Sequence, residues 1–267
     1  MTATQYAFDN RAADAESQLA VLETYLDPVT TRRLDHLGVP AGAHCWEVGA
    51  GGGSIARLLA ERVGPSGRVV ASDLDLTRFR GAAPQLAPLH HDVRTEQPPG
   101  AFDLIHARLL LLHLPERERV LATLAGALRP GGVLLVEEFD RSPLRVLAGA
   151  EPAERALFAR VIEGVLAALT ERGADLRWAE RAYSAMEAAG LTEVRTTTHA
   201  ESWTGDGGAR LHEINSRQLA DRLLAGGLTE DELGRFRALV RRPEFAALSY
   251  TLVSVSGRRP HRVRRRS

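Results

Sequence analysis

Residues 43–53 read AHCWEVGAGGG. A short apolar run carries one acid, Glu47, and breaks at once into a loop that is nearly all glycine. Glycines at a strand-to-helix turn let the backbone fold tightly and approach a ligand without Cβ obstruction, and the amides of the following helix favour anionic groups. A dinucleotide turn would be G-x-G-x-x-G. Here the glycines stand at 49, 51, 52 and 53, and Ser54 occupies the third dinucleotide position. The pattern is E-x-G-x-G-x-G, with Glu47 at the carboxyl end of a strand. There it suits a positive ammonium or sulfonium group better than a pyrophosphate.

Outward from the loop, apolar runs with strand character recur at 44–49, 68–73, 88–93, 102–107, 132–139, 191–198 and 249–256. Ile55, Leu58, Leu59 and Val63 space one helical face, and Val120, Leu121, Leu124 and Leu128 another. Pro115 is expected to open the second helix and Arg129-Pro130-Gly131-Gly132 to close it. Strand and helix alternate over about 43–140, which predicts a parallel sheet covered on both faces. Helical patterns also occupy 14–26, 28–37 (Pro28 near its start), 151–171, 177–189 and an insertion at 207–242. The expected organisation is an N-terminal helical lid (1–40), a core (41–200), the insertion with a last strand (201–257), and a basic, disordered tail (258–267).

The strand tips sharpen the ligand. R-V-V-A-S-D ends in Asp73, placed to accept both hydrogen bonds of a ribose diol, with Asp75 as the local competitor or a helix cap. The third strand is expected to end H-H-D-V. Asp92 can then accept from an adenine amino group, with Val93 offering apolar surface, or it is simply a turn residue.

E-V-G-A-G-G-G, V-V-A-S-D, H-D-V, F-D-L-I-H-A-R and L-R-P-G-G-V-L-L-V-E, in that order, resemble the motifs of class I S-adenosylmethionine-dependent methyltransferases, small-molecule actinobacterial members in particular. The resemblance is strong over about residues 41–140 and looser in Y-A-F-D-N and Y-T-L-V-S-V-S-G-R-R-P. It implies an α/β, Rossmann-like fold: a seven-stranded, mostly parallel sheet with an antiparallel last strand. It also implies roles for residues. Glu47, Gly49, Ala50 and Gly51 would line the methionine part of the cofactor. Asp73 would hold the ribose, Leu74, Asp92 and Val93 would meet adenine, His106 would lie near the methyl end, and Tyr6 would close over the cofactor.

Composition narrows the partners. The chain has 267 residues with 34 basic and 34 acidic side chains, so no whole-protein field gathers nucleic acid or an anionic membrane. All the basic residues are arginine, which excludes a lysine Schiff base and a lysine phosphate loop. Cys45 is the only cysteine, excluding an internal disulfide, and reads as buried core. The absence of a signal-like N-terminus or a spanning apolar stretch leads us to expect a cytoplasmic protein. The oligomeric state is left open, a homodimer included.

Methyl transfer is an in-line displacement in which the protein aligns nucleophile, methyl carbon and sulfur and excludes water. After the fourth strand the chain reads H-A-R-L-L-L-L-H-L-P-E-R. His113 is the candidate base, or else a packing residue. Arg108 binds an anionic substrate group or pairs with an acid such as Glu138. Glu138 and Asp140, after the fifth strand, are candidate pocket residues. No D/N-P-P-Y/F follows the fourth strand, and no acid stands where a magnesium site would be built, so metal is not expected. The expected function is methyl transfer from S-adenosylmethionine, released as S-adenosylhomocysteine, to a small molecule of specialised metabolism. O-methylation is favoured over N or C. Alternatives are an enzyme of this fold that binds the cofactor but catalyses a non-methylating, for instance pericyclic, reaction, and a dinucleotide oxidoreductase.

Overall fold

The computed structural model describes residues 14–261, so Tyr6 and residues 262–267 of the basic tail lie outside the described residues. In chain order the elements are α1 (Asp14–Leu37), β1 (His44–Val48), α2 (Ser54–Val63), β2 (Arg68–Asp73), β3 (Leu86–His90) and β4 (Phe102–Arg108). A single 3-10 turn follows (Leu111–His113), then α3 (Arg117–Gly126), β5 (Leu128–Asp140), β6 (Val146–Ala148), α4 (Pro152–Glu171) and α5 (Trp178–Ala188). The chain ends with β7 (Thr192–His199), β8 (Ser202–Thr204), α6 (Arg210–Gln218), α7 (Ala220–Ala225), α8 (Glu230–Leu239), β9 (Ala246–Leu248) and β10 (Thr251–Arg258).

Two compact units emerge. The sheet unit comprises Asp27–Phe139, Arg177–Thr198 and the chain from Leu252; the helical unit comprises the chain to Leu26, Asp140–Leu176 and His199–Thr251. The seven-stranded sheet has the order β3-β2-β1-β4-β5-β10-β7. β1 to β5 are parallel. β10 is antiparallel: Arg259 just past its end bonds to Gly131 and Gly132 near the start of β5, and Thr192 at the start of β7 donates to the Arg258 carbonyl. The strand order reverses between β1 and β4, where open α/β sheets place their ligand crevice.

Sheet burial explains the sequence periods. One face carries Cys45, Val69, Ala71, Leu104 and Leu135, covered by Leu34 of α1 and by Ile55, Leu59 and Val63 of α2. On the other face Trp46 packs on Phe102, ring centroids 5.3 Å apart, and its indole N–H donates to Ser72 Oγ at 2.8 Å. In the helical unit α4 packs against α6, α7 and α8. Phe158 anchors that core, 5.9 Å from Phe236 and 5.6 Å from Phe245 between ring centroids.

Several boundaries differ from expectation. The two N-terminal helical patterns form one helix through Pro28. Proline removes only the amide that would bond to the carbonyl of Thr24, and Thr24 is exposed, so water can serve that carbonyl. β3 spans 86–90 instead of 88–93 because its ladder with β2 ends at the pair Asp73 and His90. Arg129–Gly132 does not close a helix: α3 has ended at Gly126, and these residues form the irregularity between the pairs Phe102–Leu128 and Leu104–Val133. The antiparallel sheet β6-β9-β8 in the helical unit was unforeseen; its strands are too short for a period of two to register. No helix among the described residues is long and apolar enough to cross a membrane.

Candidate functional site

Left-handed backbone at Gly49 (φ 73°), Gly51 (51°) and Gly53 (86°) shapes the loop after β1, a conformation glycine adopts without a steric penalty. Gly49 and Ala50 donate to the Ser72 carbonyl at 2.8 and 3.0 Å, fastening the loop to the end of β2. A Cβ at position 53 would stand 2.7 Å from the Phe79 ring. Asp73 receives the Gly51 amide on Oδ2 at 2.9 Å and the Asp75 amide on Oδ1 at 3.0 Å. Burial raises its pKa against those amides. The Leu74 amide bonds to it as well, so three amides take three of about four lone pairs and one is left for a ribose hydroxyl. Leu74 beside it is half exposed and offers an apolar face.

Asp92 is different. It lies beyond β3, in a turn where its carbonyl accepts from Thr95 and Glu96. Its carboxylate is held by Arg94, Nε to Oδ1 at 2.9 Å and Nη2 to Oδ2 at 2.8 Å. The Arg94 hydrogen bonds keep it below the usual carboxylate range. The strand-tip acid expected to meet adenine is thus already paired, while Val93 is half-buried beside it.

Behind the loop sits a buried ionic chain. Glu47 on β1 stands in register with His106 on β4, and His106 Nδ1 lies 2.6 Å from Glu47 Oε2. The other ring nitrogen, Nε2, lies 3.2 Å from Glu137 Oε2 on β5. Ser254 of β10 donates to Glu137 Oε1 at 2.5 Å, and Thr30 of α1 donates to Oε2. Arg108 donates to Thr30 Oγ1 at 3.0 Å and to Asp27 Oδ1 at 2.8 Å, and Asp27 Oδ1 also accepts from Ser54 Oγ at 3.1 Å. Burial opposes charge on His106, but Glu47 and Glu137 outweigh it and hold the ring up at about 9. Burial likewise opposes charge on Glu137, yet the His106 hydrogen bond and charge pull it down to about 2. Burial raises Glu47 despite His106.

Two expectations are corrected here. His106 is inside β4 and fully buried, so it braces carboxylates rather than lining a methyl-transfer space. Arg108 pairs with Asp27, not Glu138, because residues 108 and 138 belong to opposite faces of the sheet.

The opposite face is built from Glu138. Leu109, just past β4, has φ 52°, a strained value for a branched side chain. That bend delivers the 3-10 turn, whose Leu111 and Leu112 amides donate to Glu138 Oε1 at 2.8 and 3.3 Å. Glu138 is buried, and desolvation lifts it to about 8 against those amides. His113 closes the turn, also buried; desolvation and then the Arg117 charge depress it to about 4. Glu138 therefore serves as an acceptor for the turn that carries His113 rather than as an exposed pocket wall. Asp140 belongs to the helical unit and accepts from Ser142 Oγ at 2.6 Å. Cys45 is inert core, its thiol pushed by burial to about 12.

Residues missed from sequence are Asp27, Thr30, Glu137 and Ser254, and the helical unit's His212. The V-E-E run held a signal: period two puts 137 and 138 on opposite faces. Nothing local marked the other four.

A profile of the methyltransferase domain family matches residues 22–223. Nocamycin O-methyltransferase of Saccharothrix syringae is 30% identical over 190 residues, covering 64% of this chain and 67% of that protein. The ubiquinone/menaquinone biosynthesis C-methyltransferase UbiE of Hahella chejuensis is 29% identical over 118 residues, or 40% of this chain; the chain spans about half its length (47%). The crystal structure of the [4+2]-cyclase SpnF superposes with a TM-score of 0.51 at 18% identity, covering 95% of this chain and 85% of that one. At such identity the likeness is one of fold.

Proposed function

The chain belongs to the methyltransferase domain family, and from that premise we propose that it transfers a methyl group from S-adenosylmethionine to a small-molecule acceptor, most simply an oxygen nucleophile of specialised metabolism. The observation that carries the cofactor is the joint geometry of Glu47, the glycine loop and Asp73. The acid at the tip of β2 is locked to the loop through Gly51, and the acid of β1 lies behind the same loop. The arrangement fits the group. Glu47 Oε2 is taken by His106, while no hydrogen bond among the described residues reaches Oε1, which leaves an acceptor for an ammonium. S-adenosylmethionine, when bound, supplies an electrophilic methyl carbon on sulfur.

The protein's own part follows from its residues. Asp73 accepts from a ribose hydroxyl, Leu74 and Val93 cover the adenine with apolar surface, and the loop backbone of Gly49, Ala50 and Gly51 admits the tail. His113 is neutral at pH 7 and can take a proton, but a base held at about 4 is weak. Alignment and exclusion of water then supply most of the acceleration. Relatives named as O- and C-methyltransferases of small molecules support this substrate class.

A non-methylating reaction on the same cradle is the second reading, since the fold is shared with a protein named as a [4+2]-cyclase. Incubation with methyl-labelled S-adenosylmethionine and candidate acceptors separates the two: labelled product supports methyl transfer, and acceptor conversion without label rejects it. Asp73→Ala should weaken S-adenosylhomocysteine binding by roughly 1–3 kcal/mol in calorimetry, the scale of hydrogen bonds to a charged group. Unchanged affinity would place the ribose elsewhere.

A further inference from the structure

The chain Glu47–His106–Glu137 is more elaborate than a buried acid requires. Glu47 and Glu137 approach the two nitrogens of one imidazole, at 2.6 and 3.2 Å. Only a doubly protonated ring donates to two carboxylates at once. Three donors converge on Glu137, Ser254 on one oxygen and Thr30 and His106 on the other, and together they favour its ionised form. The charged groups gathered here from β1, β4, β5 and α1 are Glu47, His106, Arg108, Glu137 and Asp27. Three are acids and two are bases, so with Glu47 ionised against the burial that raises it the cluster carries one negative charge in excess. Among the described residues no donor reaches Glu47 Oε1, the free acceptor of this cluster that lies nearest the glycine loop on β1.

We propose that His106 and Glu137 are positioning residues, the His106 ring opposing the burial of Glu47 and aiming its carboxylate while Glu137 holds that ring charged, so that the site selects a nucleoside bearing a cationic amino-acid tail over the same nucleoside without one. This rests on the cofactor reading above and deepens it, because the selectivity is assigned to residues that touch no ligand. Removing the charge of Glu137 leaves His106 and Glu47 as a self-neutralising pair. The excess negative charge disappears, and with it the attraction for an ammonium. The ribose and adenine contacts are untouched, since Asp73 and Leu74 take no part in the chain.

The test compares two ligands on the intact protein by titration calorimetry. S-adenosylhomocysteine carries the amino-acid tail; 5′-methylthioadenosine has the same nucleoside and a thioether without it. In Glu137→Gln the affinity for S-adenosylhomocysteine should fall at least about tenfold, the scale of one unit charge at a partly buried site, with 5′-methylthioadenosine changed less than about twofold. Equal weakening of both ligands overturns the assignment, since a merely structural role would not discriminate, and unchanged binding of both overturns it too. Wild-type protein that binds neither ligand overturns the cofactor reading as well, so the two failures are distinct. Should Glu137→Gln not fold, histidine ring 15N NMR of the wild-type protein decides: a doubly protonated His106 at pH 8 supports the assignment, and a neutral ring overturns it.

Discussion

His106 and His212 are both buried, one in each unit, and their charge states are opposite. His106 lies between two carboxylates and is held up at about 9. His212, on α6, lies among rings: Tyr250 at 5.3 Å, Phe158 at 5.4 Å and Trp203 at 5.8 Å between centroids. Neither of its nitrogens has a hydrogen-bond partner among the described residues, and burial pushes it down to about 3. Depth alone does not decide ionisation; what the neighbouring elements bring to the same depth does. Parallel strands in register stack acids at one edge of the sheet, whereas the helical unit brings aromatic side chains. The sheet unit is built to carry charge, and the helical unit around His212 to exclude it.

The largest effect should come from dismantling the charged side of that contrast. Glu137→Ala strips His106 Nε2, Thr30 and Ser254 of their acceptor and leaves three buried donors facing a cavity. It should cost about 3–5 kcal/mol in urea unfolding at pH 7, the range for removing one partner of a buried pair. A loss under about 1 kcal/mol would mean the carboxylate is not holding the ring charged. The pH signs are fixed by the shifts. His106 is raised, so its contribution is complete below 6.5 and fades as pH rises through about 9. Glu137 is lowered, so its contribution is complete above 4.5 and fades as pH falls through about 2.

Next comes the uncharged side. His212→Phe removes two buried nitrogens without partners and keeps a planar ring among rings. It should stabilise the protein by about 1 kcal/mol, the lower end of the cost of an unsatisfied buried group, after allowance for the extra volume. The folded His212 is depressed below its ordinary value, so the stability of the neutral ring is complete above 6.5 and is lost as pH falls toward 3. Thermal melts at pH 7.5 and 4.5 should show the wild type falling between them more than the variant. A variant less stable than wild type at both pH values would show that the nitrogens do have partners.

The two units were unequally legible in the sequence. The glycine loop, Asp73 and the alternation of strand and helix are local patterns, each readable within about ten residues. The partnership of His106 with Glu137 depends on how β4 and β5 align, across 31 residues, and that of Thr30 with Glu137 spans 107. Register of that kind is a tertiary fact with no local trace. Of the two readings of Asp92, the turn residue describes its place, because the ladder of β3 stops at His90 and the chain turns before the acid arrives. In the helical unit the sequence announced helical patterns over 151–171 and 207–242, but not where the second divides or which ring meets which. His212 was therefore invisible among ordinary helix residues.

The smallest predicted effect tests whether the lesson holds between adjacent residues of one strand. Glu138 follows Glu137 directly but points to the opposite face, where it meets the backbone amides of Leu111 and Leu112 instead of a cation. Desolvation lifts it to about 8, so at pH 7 it is mostly the neutral acid. Glutamine imitates that form: its carbonyl oxygen can take both amides, and its NH2 occupies the place of the acid's OH. Glu138→Gln should therefore shift stability by less than about 0.5 kcal/mol at pH 4, where the acid is mostly protonated folded and unfolded alike. Because the folded Glu138 is raised, its contribution is present below 4.5 and lost as pH rises through about 8. The variant should gain on the wild type between pH 6 and pH 9, and the difference cancels the His106 titration common to both. If Glu138→Gln instead proves as damaging at pH 7 as Glu137→Gln, then Glu138 is ionised in the fold, and two acids side by side share one electrostatic environment after all.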